Sequence, residues 1–240
     1  MAAGQLTYLQ MTNRCLLRLG HPQVVSADFA GLAADSYGGF CKDLLNEAQG
    51  EVAKEHDWST LITSGTFTTS SRTYTLSTNF SDFGREIDLS DTTNRRVLEP
   101  TILRSLDVED PAQTNAGDPV AYTIEYPNLL FNVTPASLSY RLRYVKRPTA
   151  LSVAGSVSDL PEYCDMALIW WTVWQLAASR EDASEGGAVS KAVYDSTLAR
   201  AIAQDRRRVD RLWRMMPVFP REGVARLRFP SGYGSEGYGV

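Results

Sequence analysis

The residues of this 240-residue chain best suited to acid–base or metal chemistry are its two histidines, His21 and His56. Neither belongs to an H-E-x-x-H motif or to another pattern with metal-ligand spacing. His56 precedes Asp57, but adjacent residues on a helix point apart, so the two side chains are not expected to form a catalytic dyad. The chain also lacks G-x-S-x-G, Walker and G-x-G-x-x-G motifs. We therefore predict that the protein is not an enzyme and that it needs no metal or cofactor.

Two further features are compatible with an activity on sugars. Acidic residues are plentiful, and a carboxylate pair for glycoside hydrolysis is defined by a separation in space that a sequence does not supply. Trp170, Trp171 and Trp174 lie three and four residues apart, so they form one wide aromatic face on a helix. Such a face can stack on sugars, but on an apolar helix packing in a core or an interface is the commoner role.

The composition is that of a globular protein with a hydrophobic core, with 43% hydrophobic and 22% charged residues. Cys15, Cys41 and Cys164 are far apart and odd in number, which argues against disulfides or a zinc site and suits a reducing compartment. The N-terminus lacks the apolar core of a signal peptide. The longest apolar run, Met166–Val173, is too short to span a membrane. We expect a soluble product of the cytoplasm without membrane contacts.

The net charge of −4 conceals a basic end. Residues 205–240 contain eight Arg, two Asp and two Glu, a local charge of +4, so the remainder of the chain carries −8. A basic end on an acidic body indicates nucleic acid, an anionic surface or an acidic partner. It is equally compatible with the solvent face of an Arg-rich helix.

Helical periodicity is confined to the two ends of the chain. Apolar residues at three-to-four spacing predict helices over 7–19, 32–57, 161–183 and 188–216. Gly38 and Gly39 predict a kink or a close contact near the start of the second helix. Pro161 fits the first turn of the third helix, and Gly186–Gly187 predicts a break before the fourth.

Between residues 64 and 150 the period becomes two, which predicts strands. The segment S-Y-R-L-R-Y-V-K places Tyr140, Leu142 and Tyr144 on one face and Arg141 and Arg143 on the other. A short helix is predicted over 103–109 and a tight turn at Pro127–Asn128. The predicted strands are 65–69, 72–76, 85–89, 96–98, 121–126, 129–133 and 139–146. These strands predict an antiparallel sheet or a small sandwich inserted between helices.

The last 24 residues, PVFPREGVARLRFPSGYGSEGYGV, combine three Pro and five Gly with three Arg and four aromatic residues. Fully extended, this segment reaches roughly 80 Å. Disordered ends usually lack aromatic residues, so the pattern favours a segment that becomes ordered on a partner.

Four motifs in this order resemble the head-to-tail adaptor, or connector, proteins of tailed bacteriophages, the group that includes tail tubular protein A, or gatekeeper, of short-tailed phages. They are "CLLRLGHPQVVS", "LLNEAQGEVAKEHDW", the Pro-opened helix "LPEYCDMALIWWTVWQLA", and a last long helix followed by an extended tail. The resemblance covers both helical ends of the chain and does not extend residue by residue into the β region.

The resemblance implies a structural virion protein that forms a ring, commonly of twelve copies, in the neck between the capsid portal and the tail. Its partners would be the portal protein, a tail or nozzle protein and further copies of itself, and DNA would pass through its channel without sequence-specific binding. The expected fold is α+β: a four-helix bundle with an inserted antiparallel β-sheet or sandwich lobe and an extended C-terminal tail. The expected division is a helical body over 1–60 and 158–216, a β lobe over 61–157 and a tail over 217–240.

The same resemblance assigns roles to individual residues. Trp58 is expected to hold the end of the second helix where the β region leaves the bundle. The tail residues expected to dock on the portal are Phe219, Arg226, Arg228, Phe229, Tyr233 and Tyr238. The residues expected at contacts between subunits are Tyr163, Trp170, Trp171, Trp174, Arg207 and Arg211.

Two alternatives from other classes stay open. The resemblance extends to proteins of similar architecture that degrade cell wall. A phage-type cell-wall hydrolase is therefore the first alternative. A host protein that binds nucleic acid through its Arg-rich helix is the second. Nucleic acid binding predicts basic and aromatic residues on one sheet face, whereas Tyr140 and Tyr144 alternate away from Arg141 and Arg143.

Overall fold

A computed structural model describes residues 4–112, 114–179 and 184–215, and it confirms the predicted α+β class. The helices in these ranges are α1 Tyr8–Arg18, α2 Tyr37–Glu55, α3 Leu103–Glu109, α4 Asp165–Ala178 and α5 Ser184–Met215. The strands are β1 Ile62–Thr69, β2 Thr73–Thr75, β3 Phe83–Asp91, β4 Arg96–Val97, β5 Glu99–Pro100, β6 Ala121–Glu125, β7 Asn128–Phe131 and β8 Leu138–Lys146. The whole β region therefore lies between α2 and α4.

Two helices begin at other residues than the sequence predicted. The Ser36 hydroxyl accepts the Gly39 N–H at 3.0 Å, so α2 begins at Tyr37 and not at the predicted residue 32. A Cβ atom on Gly39 would lie 2.2 Å from the Ala33 carbonyl oxygen, so glycine lets the helix start approach the preceding loop. α4 begins at Asp165 because a 3-10 turn, Glu162–Cys164, follows the predicted proline.

The predicted four-helix bundle is not supported. α4 is buried on several sides and contacts α1, α2 and α5, while α1 and α2 also contact each other. α5 packs mainly on α4 and on the 3-10 turn before it. The helices therefore form a three-helix cluster with α5 laid against α4. Apolar stripes define which face of a helix is buried, but they do not say which helix covers it.

The β region is a sandwich of two four-stranded sheets, in the orders β1-β8-β3-β4 and β2-β7-β6-β5. Every strand pair is antiparallel except β5 and β6, which pair in parallel through two residues each, so the prediction of a purely antiparallel region is corrected there. β5 is too short to show periodicity in sequence. The tight turn lies at Tyr126–Pro127, one residue before its predicted position, because Glu125 pairs with Asn128.

Aromatic rings fill the space between the two sheets. The Phe131 ring of β7 lies 4.8 Å from the Tyr140 ring of β8, and the Phe67 ring of β1 lies 4.1 Å from that of Tyr74 in β2. The predicted alternation along β8 is confirmed: Tyr140, Leu142 and Tyr144 are buried, and Arg141 and Arg143 are exposed. Ring packing of this kind adds stability beyond the area that it buries.

Two hydrophobic clusters meet at the end of β8. Tyr144 belongs to the cluster inside the sandwich, whereas the next residue, Val145, belongs to the cluster of the helices. Adjacent strand residues point to opposite faces, so one strand contributes to both clusters. None of the helices among the described residues is long and apolar enough to cross a membrane.

α2 also holds the segment that returns from the sheets to α4. The Asn46 amide accepts the Leu151 N–H at 2.7 Å and donates to the Leu151 carbonyl at 3.2 Å. The Gln49 amide donates to the Thr149 carbonyl at 2.7 Å. The two bonds to Leu151 satisfy the backbone N–H and carbonyl of a buried residue, which would otherwise lack partners.

A buried ion pair closes the sandwich at the end of α3. Arg72 Nη1 lies 3.0 Å from Asp110 Oδ2, and their side chains are 9% and 4% exposed. Asp110 also accepts the N–H groups of Thr114 and Asn115 at 3.2 and 3.0 Å. The carboxylate thus ties the loop after α3 to the turn that precedes β2.

Replacing Arg72 with Met should lower the free energy of unfolding by about 3 kcal/mol, because it leaves the Asp110 carboxylate buried without its cation. The control is Arg85→Met, which breaks an ion pair with Asp57 in which both side chains are more than half exposed, and which should cost less than about 1 kcal/mol. Urea denaturation of both variants measures the difference. Equal losses would contradict the role of the buried pair.

Candidate functional site

The helices and the sheets are joined at Trp58. α2 ends at Glu55, and the chain turns there so that the fully buried Trp58 packs against the end of the helix. The indole Nε1–H donates to the Val52 carbonyl at 2.8 Å, and the Trp58 carbonyl accepts the Leu61 N–H at 2.9 Å. Trp58 therefore spans from the last turns of α2 to the residue before β1.

The buried carboxylate of Asp205 on α5 accepts hydrogen bonds from several residues at this junction. The Ser59 N–H and hydroxyl donate to Asp205 Oδ2 and Oδ1 at 3.2 and 2.7 Å. The Tyr163 hydroxyl donates to Oδ1, and His56 Nε2 lies 3.2 Å from Oδ2. The Asp205 side chain is 1% exposed. One carboxylate thus bonds the residues that leave α2 and the turn that opens α4.

The hydrogen bonds decide the ionisation of Asp205. Burial alone would raise its pKa, but bonds from Tyr163 and Ser59, with the charge of His56, outweigh burial and hold the pKa below its usual value. Burial, the bond to Asp205 and its negative charge together raise the pKa of the Tyr163 hydroxyl. Asp205 is therefore a structural anion and Tyr163 a permanent donor at neutral pH.

A second buried carboxylate, Asp165, lies two residues after Tyr163 at the start of α4. Its Oδ2 accepts the Leu6 N–H at 2.7 Å, and its Oδ1 is buried without a hydrogen-bond partner among the described residues. Burial, reinforced by the charge of Glu162 and offset in part by the Leu6 bond, raises the pKa of Asp165 to about 6. Two nearby carboxylates therefore have pKa values shifted in opposite directions.

A carboxylic acid with a raised pKa beside an ionised carboxylate is the pattern of glycosidases. The contacts of Asp165 and Asp205, however, indicate a structural role. Both oxygens of Asp205 already accept bonds from Ser59, Tyr163 or His56. Asp165 is 3% exposed. A glycosidase needs its two carboxyl groups on either side of an accessible substrate. Among the described residues, no group of three His, Cys, Asp or Glu side chains could hold a metal.

The tryptophans of α4 contact two different helices. Arg18 of α1 lies 4.8 Å from the centre of the Trp170 ring. The Trp174 ring stacks 6.0 Å from Tyr194 of α5 and meets the Trp171 ring edge to face at 6.4 Å. Trp171 is 9% exposed, whereas Trp170 and Trp174 are only partly buried. One side of the aromatic face, at Trp170, thus contacts α1, and the other side, at Trp174, contacts α5. Trp170 and Trp174 are the two tryptophans of this face that remain partly exposed to solvent.

The predicted residues near the C-terminus are described only in part. Arg207 is exposed on α5, next to the inward-facing Asp205. The backbone of Arg211 lies in α5, but its side chain lies outside the described residues, as do Phe219, Arg226, Arg228, Phe229, Tyr233 and Tyr238.

A cleft of about 550 Å³ lies between α2 and the ends of β3 and β8. Its cationic side chains have partners within the chain: Arg85 pairs with Asp57, Lys54 with Glu51, and Lys146 with Asp159. Arg147 lies 5.6 Å from the centre of the Tyr126 ring. The cleft is therefore a seam between helices and sheet with little unbalanced charge.

Asp205 was missed by the sequence analysis, although a signal was present. It lies three residues after Ile202 and four after Ala201, on the stripe that Tyr194 and Leu198 begin. A carboxylate on a buried stripe must find hydrogen-bond donors. One of its partners, His56, was considered in the sequence only beside Asp57, whereas it lies 3.2 Å from Asp205.

The family follows from comparison with known proteins. Residues 6–221 match the model of the family described as SU10 adaptor protein. The chain belongs to this family. It is a family of phage head-to-tail adaptors, so the predicted phage adaptor is confirmed at that level. The match does not extend to the tail tubular protein A, or gatekeeper, subtype. No curated protein matches the chain.

Membership gives the adaptor a structural role in the virion, as a connector between head and tail that interacts with portal and tail proteins. The match covers the helices that meet at Asp205 and both sheets. The contacts of Asp205 therefore lie within the part of the chain that the family model matches.

Asp205→Asn should lower the free energy of unfolding at pH 7 by about 3 kcal/mol, because it removes a buried anion that accepts several bonds. The control on the same helix is Asp195→Asn, which breaks an exposed pair with Lys191 and should cost less than about 1 kcal/mol. Because the folded-state pKa of Asp205 is depressed, its contribution is complete above pH 4 or so and is lost as the pH falls. Urea titrations from pH 3 to 7 should show the two proteins converging in acid.

Asp165→Asn should have the opposite dependence on pH. The folded-state pKa of about 6 exceeds that of the unfolded chain, so ionisation of Asp165 destabilises the wild type as the pH rises from 4 to 6 or so. The variant should therefore be more stable than the wild type at pH 8, by up to about 3 kcal/mol, and no more stable at pH 4. A constant difference between the two proteins across this range would contradict the assignment.

Proposed function

We propose that the adaptor assembles into a ring, with twelve copies expected, which joins the capsid portal to the tail and continues the DNA channel. The main support is the match to a head-to-tail adaptor family over residues 6–221. The motif order favours the tail tubular protein A, or gatekeeper, type within this class. The ring would be made from chains synthesised in the host cytoplasm and would lie in the neck of the virion. DNA would pass through it without base-specific contacts.

The proposed division of labour follows the two hydrophobic clusters. A helical body over 1–60 and 158–216 would form the ring, a β lobe over 61–157 would face outward or toward the tail or nozzle protein, and 217–240 would dock on the portal. Support comes from the separate packing of helices and sandwich, which share β8 at Val145. Trp58 would stiffen the link between body and lobe through its bond to Val52.

Contacts between subunits would use the open aromatic surface of α4 and the Arg-rich part of α5. Tyr163 already bonds to Asp205, and Trp171 is buried. We therefore assign the aromatic contribution to Trp170 and Trp174, and the basic contribution to Arg207 and Arg211. A ring contact is heterologous, so these residues would meet a different patch of the neighbouring copy.

The C-terminal tail is the proposed attachment to the portal. Buried aromatic side chains dominate the energy of interfaces, often by about 2 kcal/mol each. Arg226 and Arg228 would pair with acidic groups of the portal and set the register of the tail more than its affinity. In a ring, tails that bind weakly one by one would attach firmly together. The aromatic anchors would be Phe219, Phe229, Tyr233 and Tyr238.

Deleting residues 217–240 should leave a folded protein that no longer attaches to portal-bearing capsids, as measured by co-sedimentation and electron microscopy. A matched variant of full length, with Phe219, Phe229, Tyr233 and Tyr238 changed to Ser, should weaken attachment by about 30-fold or more, since one anchor is worth about 2 kcal/mol. Urea denaturation of both variants serves as the control that each of them is still folded. Attachment equal to that of the wild type would overturn the proposed role of the tail.

A further inference from the structure

A groove of about 770 Å³ lies between the start of α2 and the end of α4. Its floor is apolar: Phe40 is 45% exposed, and Leu44 and Leu176 lie beside it. Its rim carries the carboxylates of Asp35, Asp43 and Glu47, all on exposed residues. The groove therefore offers an apolar surface surrounded by negative charge.

The acidic rim continues along α2. Asp43, Glu47, Glu51 and Glu55 follow one another at intervals of four residues and are all exposed. Like charges at this spacing lie side by side on a helix and repel each other. Lys54 pairs with Glu51 at 2.6 Å, beyond the groove itself. A cationic partner at the groove would relieve the repulsion there.

α5 carries a surface of the opposite charge. Arg206, Arg207 and Arg208 are exposed and consecutive, so their guanidinium groups fan out over one turn of the helix. The acidic neighbour Asp205 points inward to Ser59 and Tyr163, so its charge is used inside the fold while the three arginines that follow it stay exposed. We call Arg206–Arg208 the basic turn.

The groove and the basic turn lie at opposite ends of α4. Asp205 meets Tyr163 just before the start of α4, whereas Gly187, near the start of α5, lies against Ala178 at the end of α4. α4 has 14 residues, which corresponds to about 21 Å. That separation exceeds the Debye length of about 8 Å at physiological salt. The groove carboxylates Asp35, Asp43 and Glu47 therefore do not neutralise the basic turn within one chain, although the acidic row itself ends at Glu55, near the Asp205 junction.

We propose that the acidic groove binds the basic turn of a second copy of the chain. The proposal rests on the proposed ring and names the two surfaces that form its repeated contact. Because the two surfaces are different and lie at opposite ends of α4, a copy that is bound through one surface still presents the other, as a head-to-tail ring requires. Phe40 and Leu44 would pack on the aliphatic stems of the arginines while the carboxylates pair with their guanidinium groups.

Charge reversal on each side tests the proposal with full-length protein. The groove variant carries Asp43→Lys and Glu47→Lys, and the turn variant carries Arg206→Glu and Arg207→Glu. Each alone should form about tenfold fewer complete rings on portal-bearing capsids, counted by electron microscopy, because like charges now face each other. The control reverses the exposed pair Lys191 and Asp195, which lies outside both surfaces, and should assemble normally.

Two rescues separate the proposal from a general loss of stability. A chain with all four substitutions should assemble again, because both charges are exchanged. An equal mixture of the groove variant and the turn variant should also form rings, since the two can alternate. Normal rings from either variant alone, or failure of both rescues, would overturn the proposal.

Other outcomes identify a different occupant of the groove. If the mixture forms only closed dimers, the contact is isologous and the head-to-tail assignment is wrong. If the groove variant loses attachment of even single copies to the portal, the groove binds the portal or the chain's own tail instead. If wild-type protein forms no rings on portals, the proposed ring fails together with this contact. If the wild type forms rings and the charge-reversed variants form them equally well, this contact alone fails.

Discussion

The arrangement of this adaptor depends on one buried carboxylate. Asp205 bonds to Ser59, which leads into the sheets, and to Tyr163, which opens the helix after them. These partners are 146 and 42 residues away in sequence. A buried anion is costly unless all its oxygens are satisfied, so few alternative arrangements of these segments are tolerated. The same contact therefore sets both points at which the β region leaves and rejoins the helices.

The sandwich is attached to the helices through β8 and through the segment that returns from it to α4. Val145 of β8 enters the helical cluster, and Asn46 and Gln49 of α2 hold the returning segment at Leu151 and Thr149. The interior of the sandwich is filled by its own aromatic rings. A lobe with its own core and a narrow attachment can present its outer surface to a partner without disturbing the helices.

The ionisable side chains that could in principle act in catalysis stabilise the fold instead, which suits a connector. His56, Asp205 and Tyr163 satisfy one another at the junction, and Asp165 holds the backbone at Leu6. Consecutive or regularly spaced exposed charges of one sign lie elsewhere, on the acidic rim of α2 and the basic turn of α5. An assembly protein needs charge where it meets other chains, because charge complementarity selects partners and register.

The sequence by itself determined the α+β class, the extent of the β region and the alternation along β8, because these depend on local periodicity. The order of its helical motifs also indicated the adaptor family. It did not determine how the helices pack, the parallel pairing of β5 or the partner of His56. These depend on contacts between residues far apart in sequence, such as His56 with Asp205 and Tyr163 with Asp205. An apolar stripe indicates that a face is covered, but only the tertiary structure decides what covers it. Here α5 packs on α4, and its Asp205 lies at the junction.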